Sequence, residues 1–504
     1  MEVFNQLITG FSVALQPMNL LYCFLGTLIG TLVGVLPGLG PVAAMSLLLP
    51  ATFHTTPEAS IIMLAGIYYG SMYGGSTTSI LMNIPGEAAS IVTCLDGHEM
   101  AKRGRAGAAL GMAAFGSFIA ATVALIGLQL LSGPLVDFAL KFGSPEYFAL
   151  MVLGMTILTF LASASMLRAI MMALFGLILG CIGQDTISGS TRFTLGIPEL
   201  LEGLGIVPVV MGLFGISEVL LNLEHTLKAE IFSGKVKGLF PTLKDWSRSK
   251  WAIARGTVMG FFLGILPGGG GTIAAFASYA IEKRFSAHPE EFGKGAVEGV
   301  AGPESANNAA AQGAFIPLLS LGIPSNVVMA MLIGALIIHG ITPGPLLLEQ
   351  HPQLFWGVVV SMYVGNMMLL VLNLPLISIW VKVLKIPYSI LFPLILLLCF
   401  LGAFTINNSI TDVWLMFAFG ILGYLMKKLS LESAPMVLAF VLGPMLETAL
   451  RQSLIKSDGS FSIFFTRPIS ASFLIISALL LLVPLLPKLG RKRPGAIIGG
   501  DDDI

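Results

Sequence analysis

The sequence predicts an all-α polytopic membrane protein built as two inverted-topology repeats with broken or re-entrant helices, in about 12–14 membrane segments. Three observations carry this. The chain has 504 residues, 55% hydrophobic and 11% charged. Soluble domains carry about 25% charged residues, so this composition cannot cover a water-facing surface. Apolar runs of spanning length recur from end to end. Finally, one apolar stretch that closes on a helix-breaking Pro-Gly occurs twice. Gly26–Gly40, with Leu36-Pro37-Gly38 near its end, is answered by Gly256–Gly270, with Leu266-Pro267-Gly268 in the same place. A duplicated, broken apolar helix marks a transporter built from repeats.

The elements follow in order. The first half gives segments at 20–36, 39–53 (second or re-entrant), 60–84 (interrupted by polar residues), 107–131, 147–163, 166–183 and 204–222. The second half gives 253–266, 270–281, 309–338 with a break, 354–380, 388–404, 411–427 and 433–450, and a helix at 468–487 has no first-half counterpart. The organisation is therefore a first repeat over 1–222, a basic linker over 223–252, a second repeat over 253–450, and an extra helix and tail over 451–504. An odd number of segments per repeat makes the copy insert upside down. Loop charges agree: Lys102, Arg103 and Arg105 face a matching loop, 340–353, without Lys or Arg, and Lys427 and Lys428 answer a net acidic loop, 184–203. By the positive-inside rule the linker and tail are cytoplasmic and the N-terminus lies outside. Nearly all of these basic residues read as topology signals.

Composition also excludes. Lys+Arg and Asp+Glu balance at 27 each, which points to no nucleic acid or acidic partner. Cys23, Cys94, Cys181 and Cys399 lack metal or disulfide spacing and read as apolar filler. No basic n-region precedes the first helix, which is expected to act as its own insertion signal. There is no P-loop, HExxH or nucleophile elbow, and the glycines at 268–271 lack a strand context. The expectation is a non-enzyme without cofactor.

The candidate site lies at the breaks and just downstream. A break leaves unpaired amides at one half-helix and unpaired carbonyls at the other. The amide end attracts a carboxylate, and the carbonyl end can ligate a hard cation such as sodium. Gly38, Gly40, Gly268 and Gly269 let a ligand approach the backbone. Ser76, Thr77, Thr78 and Asn83 in the first half add neutral donors and acceptors, as do Asn307, Asn308, Ser325 and Asn326 in the second. Such density is costly in hydrocarbon unless it faces protein or a wet cavity. Pro37, Pro267 and Glu304 mark the candidate ion site, and Glu304 is the acid inside the second polar cluster. The glycines at four-residue spacing (Gly26, Gly30, Gly34) are assigned to close helix packing.

The paired breaks, Tyr73-Gly74-Gly75-Ser76-Thr77-Thr78, Asn83-Ile84-Pro85-Gly86 with Glu87, and Pro303-Glu304-Ser305-Ala306-Asn307-Asn308 together resemble the large membrane subunit of the tripartite tricarboxylate transporters. The resemblance covers essentially the whole chain. It implies ion-gradient-driven uptake of a small di- or tricarboxylate such as citrate across the bacterial inner membrane, with sodium as the coupling ion and protons as the alternative. It further implies a small four-helix membrane subunit and a periplasmic solute-binding protein as partners. The residues themselves also admit a stand-alone ion-coupled carrier or exchanger, or a channel.

Overall fold

The computed structural model describes residues 2–36, 40–161, 165–185, 187–224, 238–384 and 388–482. The chain opens with α1 (Glu2–Ala14), α2 (Pro17–Val35), α3 (Gly40–Leu48), α4 (Pro57–Met82) and α5 (Ala106–Ala139). There follow α6 (Ser144–Leu161), α7 (Met166–Gly180) and a small hairpin of β1 (Gly183–Gln184) and β2 (Thr191–Arg192), paired antiparallel with Gly183 opposite Arg192. Next come α8 (Ile206–Glu224), α9 (Leu243–Ile265), α10 (Gly270–Phe285), α11 (Glu298–Gly313), α12 (Phe315–Leu321) and α13 (Val327–Ile338). The chain continues through α14 (Pro352–Asn373), α15 (Tyr388–Asn407), α16 (Ile410–Lys428), α17 (Ser433–Lys456) and α18 (Pro468–Leu482).

Among the described residues seven helices are long and apolar enough to cross a membrane, and five shorter apolar ones accompany them. The protein is a multi-pass, all-α membrane protein. Two compact units form, one from 1–137, 206–265 and 269–424, the other from 138–205, 266–268 and 425–504. Each unit draws on both halves of the sequence.

Several sequence expectations need correction. An N-terminal helix, α1, precedes the expected first segment. Helix α9 starts at Leu243, inside the stretch read as linker. The polar segment of the first half is not interrupted: α4 runs unbroken for 26 residues and stops at Asn83, a left-handed cap with φ 55° and ψ 30°. Gly66, Gly70 and Gly74 do not break it because they are seats for α2. A Cβ on Gly74 would lie 2.3 Å from the Thr31 carbonyl oxygen. Helix α11 likewise continues through Pro303, and the chain turns later, at Gly322, with φ 70° and ψ 23°. Proline inside a membrane helix is tolerated where neighbours satisfy the freed carbonyl.

The core of the first unit is two glycine-seated helix pairs. In α2, a Cβ on Gly26, Gly30 or Gly34 would fall 2.3, 2.5 or 2.3 Å from the backbone oxygens of Met63, Ile67 and Ser71 on α4. In α9, the same addition at Gly256, Gly260 or Gly264 would fall 2.4, 2.1 or 2.2 Å from those of Gly302, Ala306 and Ala310 on α11. Helices meet backbone to backbone, as small residues allow in lipid. The α9 end is also charge-locked. Arg255 pairs with Glu282 at 2.5 Å, and Arg248 pairs with Glu298 at 2.7 Å and Glu291 at 2.6 Å. The Arg248 guanidinium holds the Glu291 carboxyl below its ordinary range.

In the second unit α7 packs closely on α17: a Cβ on Gly176 would lie 2.0 Å from the Met436 carbonyl oxygen. Arg467, just before α18, pairs with buried Glu146 on α6.

Candidate functional site

Helix α11 is buried along its whole length although it carries Glu298, Glu304, Ser305, Asn307, Asn308 and Gln312. Those side chains can be buried only if something meets them, and much of what meets them comes from the first half. Glu304 is 1% exposed. One of its oxygens accepts from Ser76 Oγ on α4 at 2.6 Å, and the other accepts from Thr93 Oγ1. One turn later, Asn308 donates to Ser117 Oγ on α5 at 2.7 Å and to the Glu304 carbonyl at 3.1 Å. Beside it, Asn307 donates to Glu87 Oε1 at 3.2 Å. Glu87 caps the short turn Ala88–Ser90, accepting from the Ala89 amide at 2.8 Å.

This cluster has two acids and no base: among the described residues neither Glu87 nor Glu304 forms an ion pair. It also has spare donors and acceptors. Asn307 Oδ1, Asn308 Oδ1, both polar atoms of Gln312 and Ser305 Oγ are buried without hydrogen-bond partners. Buried unpaired polar groups are rare and expensive, and their concentration on one helix marks a place for water, ion or solute. Asn307 Oδ1 points at the first turn of α10, 2.1 Å from where a Cβ on Gly271 would stand. That turn offers amide groups with no intrahelical partner. A small cavity of about 10 Å³, room for about one water, opens next to the cluster, lined by Tyr73, Ser76, Thr77, Ser117 and Asn373 among others.

The sequence-predicted residues therefore divide. Ser76, Glu304, Asn307 and Asn308 join the hydrogen-bonded cluster, and Ser76 and Thr77 line the cavity. Thr78 donates instead to the Val35 carbonyl at 2.5 Å, closing the end of α2. Asn326 caps α13 through the Met329 amide at 3.0 Å and donates to Tyr68 at 3.2 Å, while Ser325 is buried with an unpaired hydroxyl. Asn83 is exposed and serves as the cap of α4. Gly40 opens α3 at φ 62°, and Gly269 precedes α10. In the second unit, Gly268 (φ 77°) sits against Leu158 and Pro267 sits against Gly154. Pro37 and Gly38 lie outside the described residues.

Four contributors escaped the sequence reading: Thr93, Asp96, Ser117 and Glu87's bond to Asn307. Asp96 is fully buried. Its Oδ1 accepts from the amides of Gly293, Gly295 and Ala296 at 2.7–2.9 Å, and its Oδ2 accepts from Tyr279 at 2.9 Å. It thereby fixes the approach to α11, and the same short segment supplies Thr93 to Glu304. Apart from Glu87, which stood in a quoted motif, these are isolated polar residues in apolar surroundings. The π-helical turn at Cys94–His98 sets Asp96 and its neighbour Thr93 apart, and no local feature marks Ser117.

A family model described as the tripartite tricarboxylate transporter TctA family matches residues 20–438. The chain belongs to that family. The match spans every residue of the cluster just described. An Agrobacterium vitis protein described as an uncharacterized 52.8 kDa protein in the TAR-I ttuC′ 3′ region is 50% identical over 501 residues, 99% of this chain and all of that one. A second from the same organism, described as an uncharacterized protein in the TAR-II ttuC′ 3′ region, is 52% identical over 242 residues, 48% of this chain and all of its own length. No solved structure matches the chain significantly. As a TctA-family protein the chain is a transporter component for small carboxylate-type solutes within a multi-component system. Among the described residues no group of three or more His, Cys, Asp or Glu side chains is placed to hold a metal ion.

Proposed function

We propose that the chain is the large transmembrane subunit of a binding-protein-dependent carrier that takes up a small di- or tricarboxylate by alternating access, driven by a cation gradient. Its partners are a small four-helix membrane subunit and a periplasmic solute-binding protein, in the bacterial inner membrane. The two halves act as inverted repeats, with the N-terminus outside and the linker and tail in the cytoplasm. The duplicated glycine seats and the paired left-handed caps at Asn83 and Gly322, each followed by Ile-Pro, support this repeat reading.

The observation that carries the proposal is Glu304. A carboxylate buried in a membrane protein with only hydroxyl partners costs several kcal/mol unless a cation accompanies it. Sodium or a proton fills that role for Glu304, and a solute carboxylate entering at the amide end of α10 beside Asn307 brings further cations of its own to balance its charge. Ser76, Thr77 and Asn308 orient the solute in this scheme.

The test is uptake into proteoliposomes under an imposed sodium or proton gradient. Glu304→Gln is expected to abolish gradient-driven accumulation while folded protein is still recovered, and Asn308→Ala to lower the uptake rate about tenfold or more. Accumulation at the unmodified level in Glu304→Gln would overturn the coupling assignment.

A further inference from the structure

Residues 183–185 and 187–205 of the second unit belong to a loop that is tightly anchored at its base and apolar at its tip. The anchor is a ring of four charges. Asp185 pairs with Arg192 and, at 2.6 Å, with Arg451. Glu447 closes the ring on Arg192 at 2.9 Å and on Arg451 at 3.2 Å. The other oxygen of Asp185 accepts from the amides of Ile187 and Ser188 at 2.7 and 2.8 Å, which shapes the hairpin turn. Both partners on α17 are thus spent on holding β1 and β2.

Beyond the ring the backbone takes a costly form. Phe193 and Leu195 both adopt left-handed conformations, with φ of 53° and 51°, which bulky side chains avoid. The result is that Thr194 turns inward while Phe193 and Leu195 project, 65% and 88% exposed. Ile187, Ile197 and Leu201 are also exposed, so five large apolar side chains share one short loop. Strain of this kind persists where the surroundings over-determine it, and it clusters at functional surfaces.

The charge left over selects the occupant. The ring is neutral within itself, and Glu199 and Glu202 remain exposed beside the apolar tip without ion pairs among the described residues. Acidic side chains next to an apolar wedge are repelled by anionic headgroups, so a lipid surface is a poor fit. We propose that this loop is the docking surface for a water-soluble protein presenting an apolar groove rimmed by Lys or Arg. Phe193 and Leu195 are the anchors; Glu199 and Glu202 steer the approach. Resting on the function proposed above, the partner is the soluble solute-binding protein of the system.

The experiment titrates that binding protein against the chain in proteoliposomes, reading uptake, and against the chain in nanodiscs, reading binding directly. Phe193→Gly with Leu195→Gly removes the anchors and relieves the left-handed strain, so the loop keeps its path. The half-saturating binding-protein concentration is expected to rise about tenfold or more with the maximal rate unchanged. Glu199→Lys with Glu202→Lys should slow association and reverse its dependence on salt. Unchanged half-saturation and nanodisc affinity in the glycine variant would overturn the proposal, as would a loss of rate that follows the anionic-lipid content of the vesicles instead. If unmodified protein accumulates solute equally well without the binding protein, the functional reading fails instead, and the nanodisc measurement still decides the surface.

Discussion

Gly26, Gly30 and Gly34 seat α2 on α4 much as Gly256, Gly260 and Gly264 seat α9 on α11, yet the two pairs end differently. Helix α2 carries no charged residue. Helix α9 begins with Lys244, Asp245, Arg248, Lys250 and Arg255, and two of its arginines lock onto Glu282, Glu291 and Glu298. The pairs share the interior problem, which is to hold two helices together where lipid supplies no hydrophobic drive, and they share its solution. They differ where water or headgroups replace hydrocarbon, because only there can arginine and glutamate stand at low cost. Close backbone packing is therefore common to both pairs, and the charge clasp belongs to one of them.

The sharpest way to break this comparison is to fill one seat in each pair. Gly30→Ala places a Cβ 2.5 Å from the Ile67 oxygen, and Gly260→Ala places one 2.1 Å from the Ala306 oxygen. Each should cost about 2–3 kcal/mol and lower the melting temperature in detergent by a similar amount. A large loss in one and none in the other would show the two seats to be unequal. A smaller effect separates the pairs. Arg255→Ala leaves Glu282, whose side chain is 2% exposed, without its partner. Since Arg255 is itself 40% exposed, the expected loss is only about 1–2 kcal/mol, read as a salt-sensitive fall in melting temperature. Effects of equal or smaller size concern the two caps. Gly322→Ala meets the Pro343 oxygen at 2.6 Å and should destabilise by about 1–2 kcal/mol, whereas Asn83→Gly should stabilise by about 0.5 kcal/mol. Asn83→Gly protein that is stable but transports poorly would restore that side chain to the solute site.

How much of this was legible follows from the kind of signal each feature leaves. The glycine spacing and the Ile-Pro after each polar segment are periodic or repeated, so pattern alone located them. Continuity was harder: Gly74, Gly75 and Pro303 look like breaks, and the facing backbones of α2 and α9, with Glu87 and Ser90 against Gly75, explain why helix persists through them. The pairing of Ser76 with Glu304 was foreshadowed by the density of hydroxyls and amides, although its geometry was not. Asp96, Thr93 and Ser117 were invisible. A single polar residue in an apolar run has no period, and its meaning depends on a partner far along the chain. The α1 helix escaped because Asn5, Gln6 and Thr9 dilute a short apolar face.

That distance has a consequence for biogenesis. Ser76 and Thr93 stand 228 and 211 residues before Glu304, and Asp96 stands 197 residues before the Gly293 amide it accepts from. Ribosomes add about 5–20 residues per second, so the first half waits roughly 10–40 s for the acid and the amides that complete it. During that interval its hydroxyls and the Asp96 carboxylate sit in a nascent bundle with no native partner. The site is therefore completed only once α11 has been made, well after the residues that meet it.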